Sequence, residues 1–384
     1  MKKQILALVL AGAMALGMAA CGGDTGGEGS TTSGSTGSQA SGTSAAAGEK
    51  SIKVGMICIG DENDQGYTYN MVRGQKEATE ALKKEGINVD WVVKYNIGED
   101  ATCEDANTDL ADSDCKLIFN TSFGFEDYML KVAPDYPDIQ FVACTNQASA
   151  KSKLTNVHNA FANIYEGRYL AGVAGGMKLK QLIDEKITAD QAVIGYVGAY
   201  PYSEVISGFT AFYLGAKSVC PSVTMKVKYV NSWSNATEEA NAATALADEG
   251  CKLISQHSDN TTPATAAQSA GVFQCGYNND MSGVAPQASL ISCRIDWAPY
   301  FEYAIKSVVD GKSFAKDWTA GMKEGAVVMT PLNEKIAAPG TADKLKEVKK
   351  VIEDGTINPI EGPWNGKGKA FGSSKEDTKT MPAG

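Results

Sequence analysis

Histidine, clustered basic residues and catalytic signatures are what this sequence of 384 residues has least of. Only two histidines occur, His158 and His257. A His-built zinc site needs several such ligands close together, so no metal site is expected. Lys and Arg number 35 against 45 Asp and Glu, a net charge of -10. A nucleic-acid binder needs a basic face to release counterions from phosphates, and no Lys/Arg cluster supplies one. The same acidic balance argues against adhesion to anionic lipid by charge. No C-x-x-C pair, G-x-S-x-G elbow, kinase motif set or H-E-x-x-H is present, so no redox motif, catalytic residue or cofactor is expected. Two partial motifs also fail. Asp61-Glu62-Asn63-Asp64-Gln65-Gly66 starts like a calcium loop but carries Gln65 at position five and Val72 at position twelve. Gly362-Pro363-Trp364-Asn365-Gly366-Lys367 is one residue short of a phosphate loop and is followed by Gly368.

After the first twenty residues, no stretch offers the ~20 uninterrupted apolar residues needed to span a bilayer. Those first residues have a pattern of their own. Lys2 and Lys3 precede an apolar run over 5–20 that ends in Met18-Ala19-Ala20-Cys21. Small residues directly before a cysteine resemble a bacterial lipobox, which makes 1–21 a lipoprotein signal and Cys21 the lipidated N-terminus; a plain secretory signal is the competing reading. Residues 22–49 are nearly all Gly, Ser, Thr and Ala. Such a segment buries too little apolar area to fold and forms a leash with a reach of roughly 30 Å.

The remainder is ordinary globular material. Hydrophobic residues make up 43% of the chain, enough for real cores, and the length suggests about two domains. Cys58, Cys103, Cys115, Cys144, Cys220, Cys251, Cys275 and Cys293 follow the anchor cysteine. Several sit in apolar runs, so most are read as buried thiols, although an extracytoplasmic compartment permits disulfides.

From residue 51, short β-branched runs alternate with helical ones. Strands are expected near 52–59, 89–94, 116–120, 139–144 and 157–161, with a helix over 66–85. A helix over 165–179 carries Ala171, Gly172, Ala174 and Gly175, which allow close packing. The alternation then restarts with strands near 192–198, 223–230, 253–255, 271–277 and 290–293 and helices over 204–219, 236–249 and 299–309. A last strand (326–330) and helix (342–353) follow. Such alternation means parallel sheets with right-handed crossovers. The expected fold is α/β, two doubly wound parallel-sheet lobes joined by a hinge. Residues 50–160 form an N-terminal lobe completed by about 295–325, and 161–294 form the C-terminal lobe. Residues 326–384 complete the lobes and hinge.

Open parallel sheets bind ligands beyond the carboxyl ends of their strands. The segments there supply the candidate site: Asp64, Tyr67, Tyr69 and Asn70; Ser122 and Phe123; Tyr202 and Glu204; Trp233; His257 and Asp259; Asn278 and Asp280; Asp296 and Trp297. Rings recur beside Ser, Asn and Asp, and Arg294 is the single basic residue among these loops. Rings stack on flat ligand faces, and Asn and Asp hydrogen-bond polar edges. An anionic ligand would call for more Arg or Lys. Each residue also has a structural reading: the serines and Asp280 as caps, the rings as core, His257 as a satisfied structural histidine.

These residues resemble a known group. Val54-Gly55-Met56, Asp64-Gln65-Gly66-Tyr67-Thr68-Tyr69-Asn70 and Gly74 are similar to the opening of the Bmp (basic membrane protein) family of substrate-binding lipoproteins. Tyr165 to Gly176, Gly195-Tyr196-Val197-Gly198 with Glu204-Val205, Gln256-His257-Ser258-Asp259 and Gly276 to Met281 resemble its later segments in order. The resemblance implies a type I periplasmic-binding-protein fold, an ABC transporter permease as partner, and a purine nucleoside or purine base as ligand. By position it implies that Tyr69 replaces the family's stacking Phe, beside Asn70. Asn278 stands where nucleoside-binding members have an Asp on the ribose. Arg294-Ile295-Asp296-Trp297 departs from the pattern holding the family's site Lys. Ser122-Phe123-Gly124-Phe125 and Asp296-Trp297 look like the branch that binds purine bases. A sugar receptor of the same fold and a lipid-anchored nucleoside hydrolase are the alternatives.

Overall fold

In the computed structural model, residues 50–145 and 151–360 are described. The expected signal, Cys21, the leash, and residues 361–384 with the Gly362-Pro363-Trp364 run lie outside them.

The first lobe is built on β1 (Lys50–Ile57), β2 (Ile87–Lys94), β3 (Leu117–Asn120), β4 (Gln140–Ala143), β5 (Val157–Ala160) and β11 (Asp317–Trp318). Its sheet runs in the order β11-β5-β4-β3-β1-β2, with every pair parallel. Helices α1 (Tyr67–Lys84), α2 (Ala101–Asp112), α3 (Glu126–Val132) and α8 (Ala298–Val309) accompany it. The second lobe has β6 (Val193–Gly198), β7 (Thr224–Tyr229), β8 (Leu253–His257), β9 (Phe273–Tyr277), β10 (Ser289–Ile295) and β12 (Val327–Met329). They are ordered β12-β10-β9-β8-β6-β7, and only β12 runs antiparallel among them. Around it lie α4 (Tyr165–Glu185), α5 (Ser203–Val219), α6 (Ala236–Asp248), α7 (Thr262–Ser269) and α9 (Thr341–Glu353). The two doubly wound parallel-sheet lobes are thus present.

Central strands such as β3 and β8 are buried along their whole length, which is why neither alternates apolar and polar positions. The small residues of α4 act as expected. A Cβ on Gly172 would come within 2.0 Å of Phe212 O, and one on Gly215 within 2.0 Å of Tyr169 O. Backbone therefore touches backbone between α4 and α5, and only glycine fits. The crossovers between lobes hydrogen-bond to one another: Asn163 N donates to Ala320 O (2.8 Å) and Asp296 N to Ala326 O (2.8 Å).

Helices α2, α3 and α7 and the short β11 have no counterpart in the sequence reading. The buried positions of α2 include Cys103, Ala106 and Asn107, and α7 is largely Ala and Thr; both stripes are too small and polar to give a strong helical period. All eight described cysteines are buried and unpaired. No described helix is long and apolar enough to cross a membrane.

Candidate functional site

Both sheets reverse their winding beside the first strand of each lobe. β1 lies between β2 and β3, and β6 between β7 and β8. The loops leaving the carboxyl ends there diverge and leave a crevice. The two crevices face each other around a small cavity. Ile59, Tyr67, Thr121, Ser122, Phe123 and Thr145 line it from the first lobe. Glu204, Trp233, His257, Asp259 and Tyr277 line it from the second. Most lie at or just beyond the end of a strand, while Tyr67 and Glu204 stand in the first turns of α1 and α5.

Local chemistry fixes each wall. Asp64 accepts hydrogen bonds from the backbone N–H groups of Gly66 (2.8 Å), Thr68 (3.1 Å) and Tyr69 (2.8 Å), which starts α1 and sets Tyr67 at the cavity. Tyr67 then donates from its hydroxyl to Cys144 O at 2.9 Å. The turn carrying Phe123 is held by Glu99, which accepts from Ser122 Oγ (2.6 Å) and Gly124 N (2.8 Å). On the other side, Glu239 accepts from Asn235 N, Ser258 Oγ and Asn260 Nδ2. It thereby ties the loop bearing Asp259 to α6. Gln65, Asn231 and Asn278 adopt left-handed backbone at φ 58°, 52° and 64°. Such uncommon conformations gather at binding loops, where the surroundings over-determine them.

The lobes touch across the cleft. A Cβ on Gly66 would sit 2.0 Å from Asp259 O, and Asn279 Nδ2 donates to Gln65 Oε1 at 2.6 Å. Phe123 stacks on Tyr202, with ring centroids 4.5 Å apart.

Glu204 and His257 form a buried pair, with His257 Nε2 3.2 Å from Glu204 Oε1. Burial, then the Arg168 charge, holds the His257 pKa well below the usual histidine range. The ring is therefore neutral and Nε2 donates to the carboxylate. Burial pushes the Glu204 carboxyl up to about 7; Arg168 opposes this and Glu126 adds to it. Burial also raises Asp259, reinforced by Asp64 and Glu239. Arg168 lies over the Tyr277 ring at 3.7 Å and donates to Gln256 O at 2.7 Å. No cation lines the cavity among the described residues, and no group of three His, Cys, Asp or Glu there is placed to hold a metal.

Of the candidates from sequence, Tyr67, Ser122, Phe123, Glu204, Trp233, His257 and Asp259 are on the wall. The others lie off the wall, each held there for a physical reason. Asp64 spends both carboxylate oxygens on backbone donors. Tyr69, next but one along the helix from Tyr67, turns away and lies 5.8 Å from the Arg73 guanidinium. Asn70 is buried and donates to Ile295 O at 2.6 Å. Tyr202 stands behind Phe123. Asn278 donates to Asp259 Oδ1 at 2.9 Å and so positions a wall residue. Asp280 caps the next turn through Ser282 N. Asp296 pairs with Arg294 and accepts from Ala298 N. Trp297 is fully buried against Phe301, Tyr67 and Phe161. Ile59, Thr121, Thr145 and Tyr277 were missed. Thr121 and Thr145 directly follow strands, a placement that marks them by the same rule that found Ser122.

Comparison with known proteins agrees with this architecture. The family model for PnrA-like substrate-binding proteins of ABC transporters matches residues 51–361. A purine-binding protein of Brucella abortus is 37% identical over 83% of this chain and 85% of its own. A putative glucose-binding protein of a Haloferax volcanii ABC transporter is 34% identical over 67% of this chain and 61% of its own. Among solved structures, solute-binding proteins from Aeropyrum pernix and Conexibacter woesei superpose with TM-scores of 0.65 and 0.59, each at 19% identity. They cover 80% of this chain and 92% and 98% of theirs. These show the type I periplasmic-binding fold. Substrate-binding proteins of ABC importers work outside the cytoplasmic membrane and carry out no catalysis, which removes the hydrolase alternative. With its two hinged lobes and its match from residue 51 to 361, the chain belongs to the Bmp family of PnrA-like ABC transporter substrate-binding proteins.

Proposed function

We propose that this chain captures a purine base or nucleoside between its lobes and delivers it to the permease of an ABC importer. The observation that carries the reading is the wall composition: Tyr67, Phe123 and Trp233 beside Glu204, Asp259 and His257, with no cation. Rings suit a flat face, and carboxylates suit an edge bearing N–H groups. The purine-binding relative supports the same class. A ligand that touches both lobes binds the closed state better and shifts the hinge equilibrium toward it, and the permease reads the closed shape. Lipidation at Cys21 keeps this body at the membrane on its leash.

The relative named as glucose-binding keeps a sugar as the second reading, since rings and carboxylates also serve sugars. Calorimetry with adenine, adenosine, inosine, guanosine and glucose decides between them: affinity for a purine well below millimolar is expected, and binding of glucose alone overturns the proposal. For the anchor, labelled fatty acid should enter the wild-type chain and not Cys21→Ser; equal labelling of both refutes it.

A further inference from the structure

The polar groups of the cavity wall are unevenly committed. Four of its five hydroxyls already donate to the protein: Thr121 Oγ1 to Ile57 O, Ser122 Oγ to Glu99, Tyr67 to Cys144 O and Thr145 to Glu126; the fifth, on Tyr277, is buried without a partner. Its two carboxylates are only half used. Glu204 and Asp259 are 8% and 7% exposed. Glu204 Oε1 takes the proton of His257 Nε2, and Asp259 Oδ1 that of Asn278. Among the described residues nothing donates to Glu204 Oε2 or Asp259 Oδ2. Neither oxygen is among the sealed unpartnered atoms, so both stay accessible at the cavity. The wall thus presents two open carboxylate acceptors, beside the Tyr277 hydroxyl and the Trp233 indole N–H as its uncommitted donors. A buried acceptor without a donor costs about 1–3 kcal/mol, more when charged, so its partner has to come with the ligand.

We propose that Glu204 and Asp259 are the specificity-determining residues, and that the ligand is a flat heterocycle presenting N–H donors on two edges, as an aminopurine does. This rests on the purine reading and deepens it. It has a consequence for pH. The charged and titratable groups packed around Glu204 are Arg168 from α4, neutral His257 from β8, Glu126 from α3, Asp259, and the phenols Tyr67, Tyr196 and Tyr277. A ligand N–H bonds the carboxylate and not the protonated acid. With the cleft closed, burial pushes the Glu204 carboxyl up to about 7, so a ligand N–H on the carboxylate displaces a proton and affinity rises with pH toward that value, by up to about tenfold per unit below it. Glu204 also borders a second cavity at the crossovers, beside Phe161 and Trp318.

The test is calorimetry on the full chain at pH 6 and pH 8, in buffers of differing ionisation enthalpy. The probes are adenine and 6-methylpurine, which has the same outline without the amino donors. The expected result is at least tenfold tighter binding of adenine, with affinity rising toward pH 8 and a proton released. Glu204→Gln should flatten the pH profile and narrow the gap between the probes. Asp259→Asn, which turns an N–H donor toward the ligand, should lose tenfold or more while retaining wild-type melting. Equal binding of both probes, or an unchanged pH profile in Glu204→Gln, overturns the donor assignment and leaves the purine reading standing. If neither of these bases nor adenosine binds at either pH, both readings fall together.

Discussion

Phe123 of the first lobe lies face to face with Tyr202 of the second, their ring planes 19° from parallel and their centroids 4.5 Å apart. Tyr200 continues the stack at 5.0 Å, and Trp233 meets Tyr202 at 6.0 Å. The pair joins the two lobes, so opening the cleft would part the rings.

Tyr202→Ala should therefore weaken ligand binding although Tyr202 lines no part of the cavity. A stacked aromatic pair contributes about 0.5–1.5 kcal/mol, so release should speed up by about two- to tenfold. Stopped-flow fluorescence of Trp233 measures it, and an unchanged release rate would remove the pair from the closing mechanism.

Closure also depends on Gly66. A methyl group there meets Asp259 O at 2.0 Å, from an element of the other lobe. Gly66→Ala should leave each lobe folded and keep the cleft from shutting, with affinity lowered at least about tenfold, or about 1.4 kcal/mol. Calorimetry and small-angle scattering with ligand present check both halves; wild-type affinity would show that the loops separate easily.

Glu239 organises the loop that presents Asp259, through Asn235, Ser258 and Asn260. Glu239→Ala strands these buried donors, with an expected loss of about 1–3 kcal/mol in urea unfolding. Ligand affinity should fall as well, because Asp259 loses its support. Stability lost with affinity intact would confine Glu239 to a structural role.

Tyr69 and Trp297 yield opposite expectations. Tyr69→Ala should change affinity by less than about twofold, since only surface substitution away from the cavity is involved. Trp297→Ala removes a fully buried indole and should cost about 3–5 kcal/mol of stability. A large affinity loss in Tyr69→Ala would return that ring to the ligand.

The sequence carried the residue types of the site further than their orientation. Tyr67 and Tyr69 stand two apart in one motif, and which of them faces the ligand depends on where Asp64 starts the helix. Asp296 and Trp297 follow a strand just as His257 and Asp259 do. Their loop, however, is a crossover between lobes, so Trp297 is packed under α1, where Gly74 leaves room for it. Asn278 reads as a ligand contact, and in the fold it holds Asp259 on the cavity wall. In each case the side chain's neighbour comes from a distant part of the chain.

The alternation of strand and helix, fixed by local periodicity and by which residues tolerate burial, was enough to determine two parallel-sheet lobes and the strand ends where a site must form. The close packing of α4 on α5 was likewise written in its glycines. What only the tertiary structure decided is which side chains from the two lobes converge, which carboxylate oxygens remain open, and that Phe123 and Tyr202 meet. Those outcomes depend on contacts between residues tens to hundreds of positions apart, and burial and charge at such contacts are properties of the assembled fold.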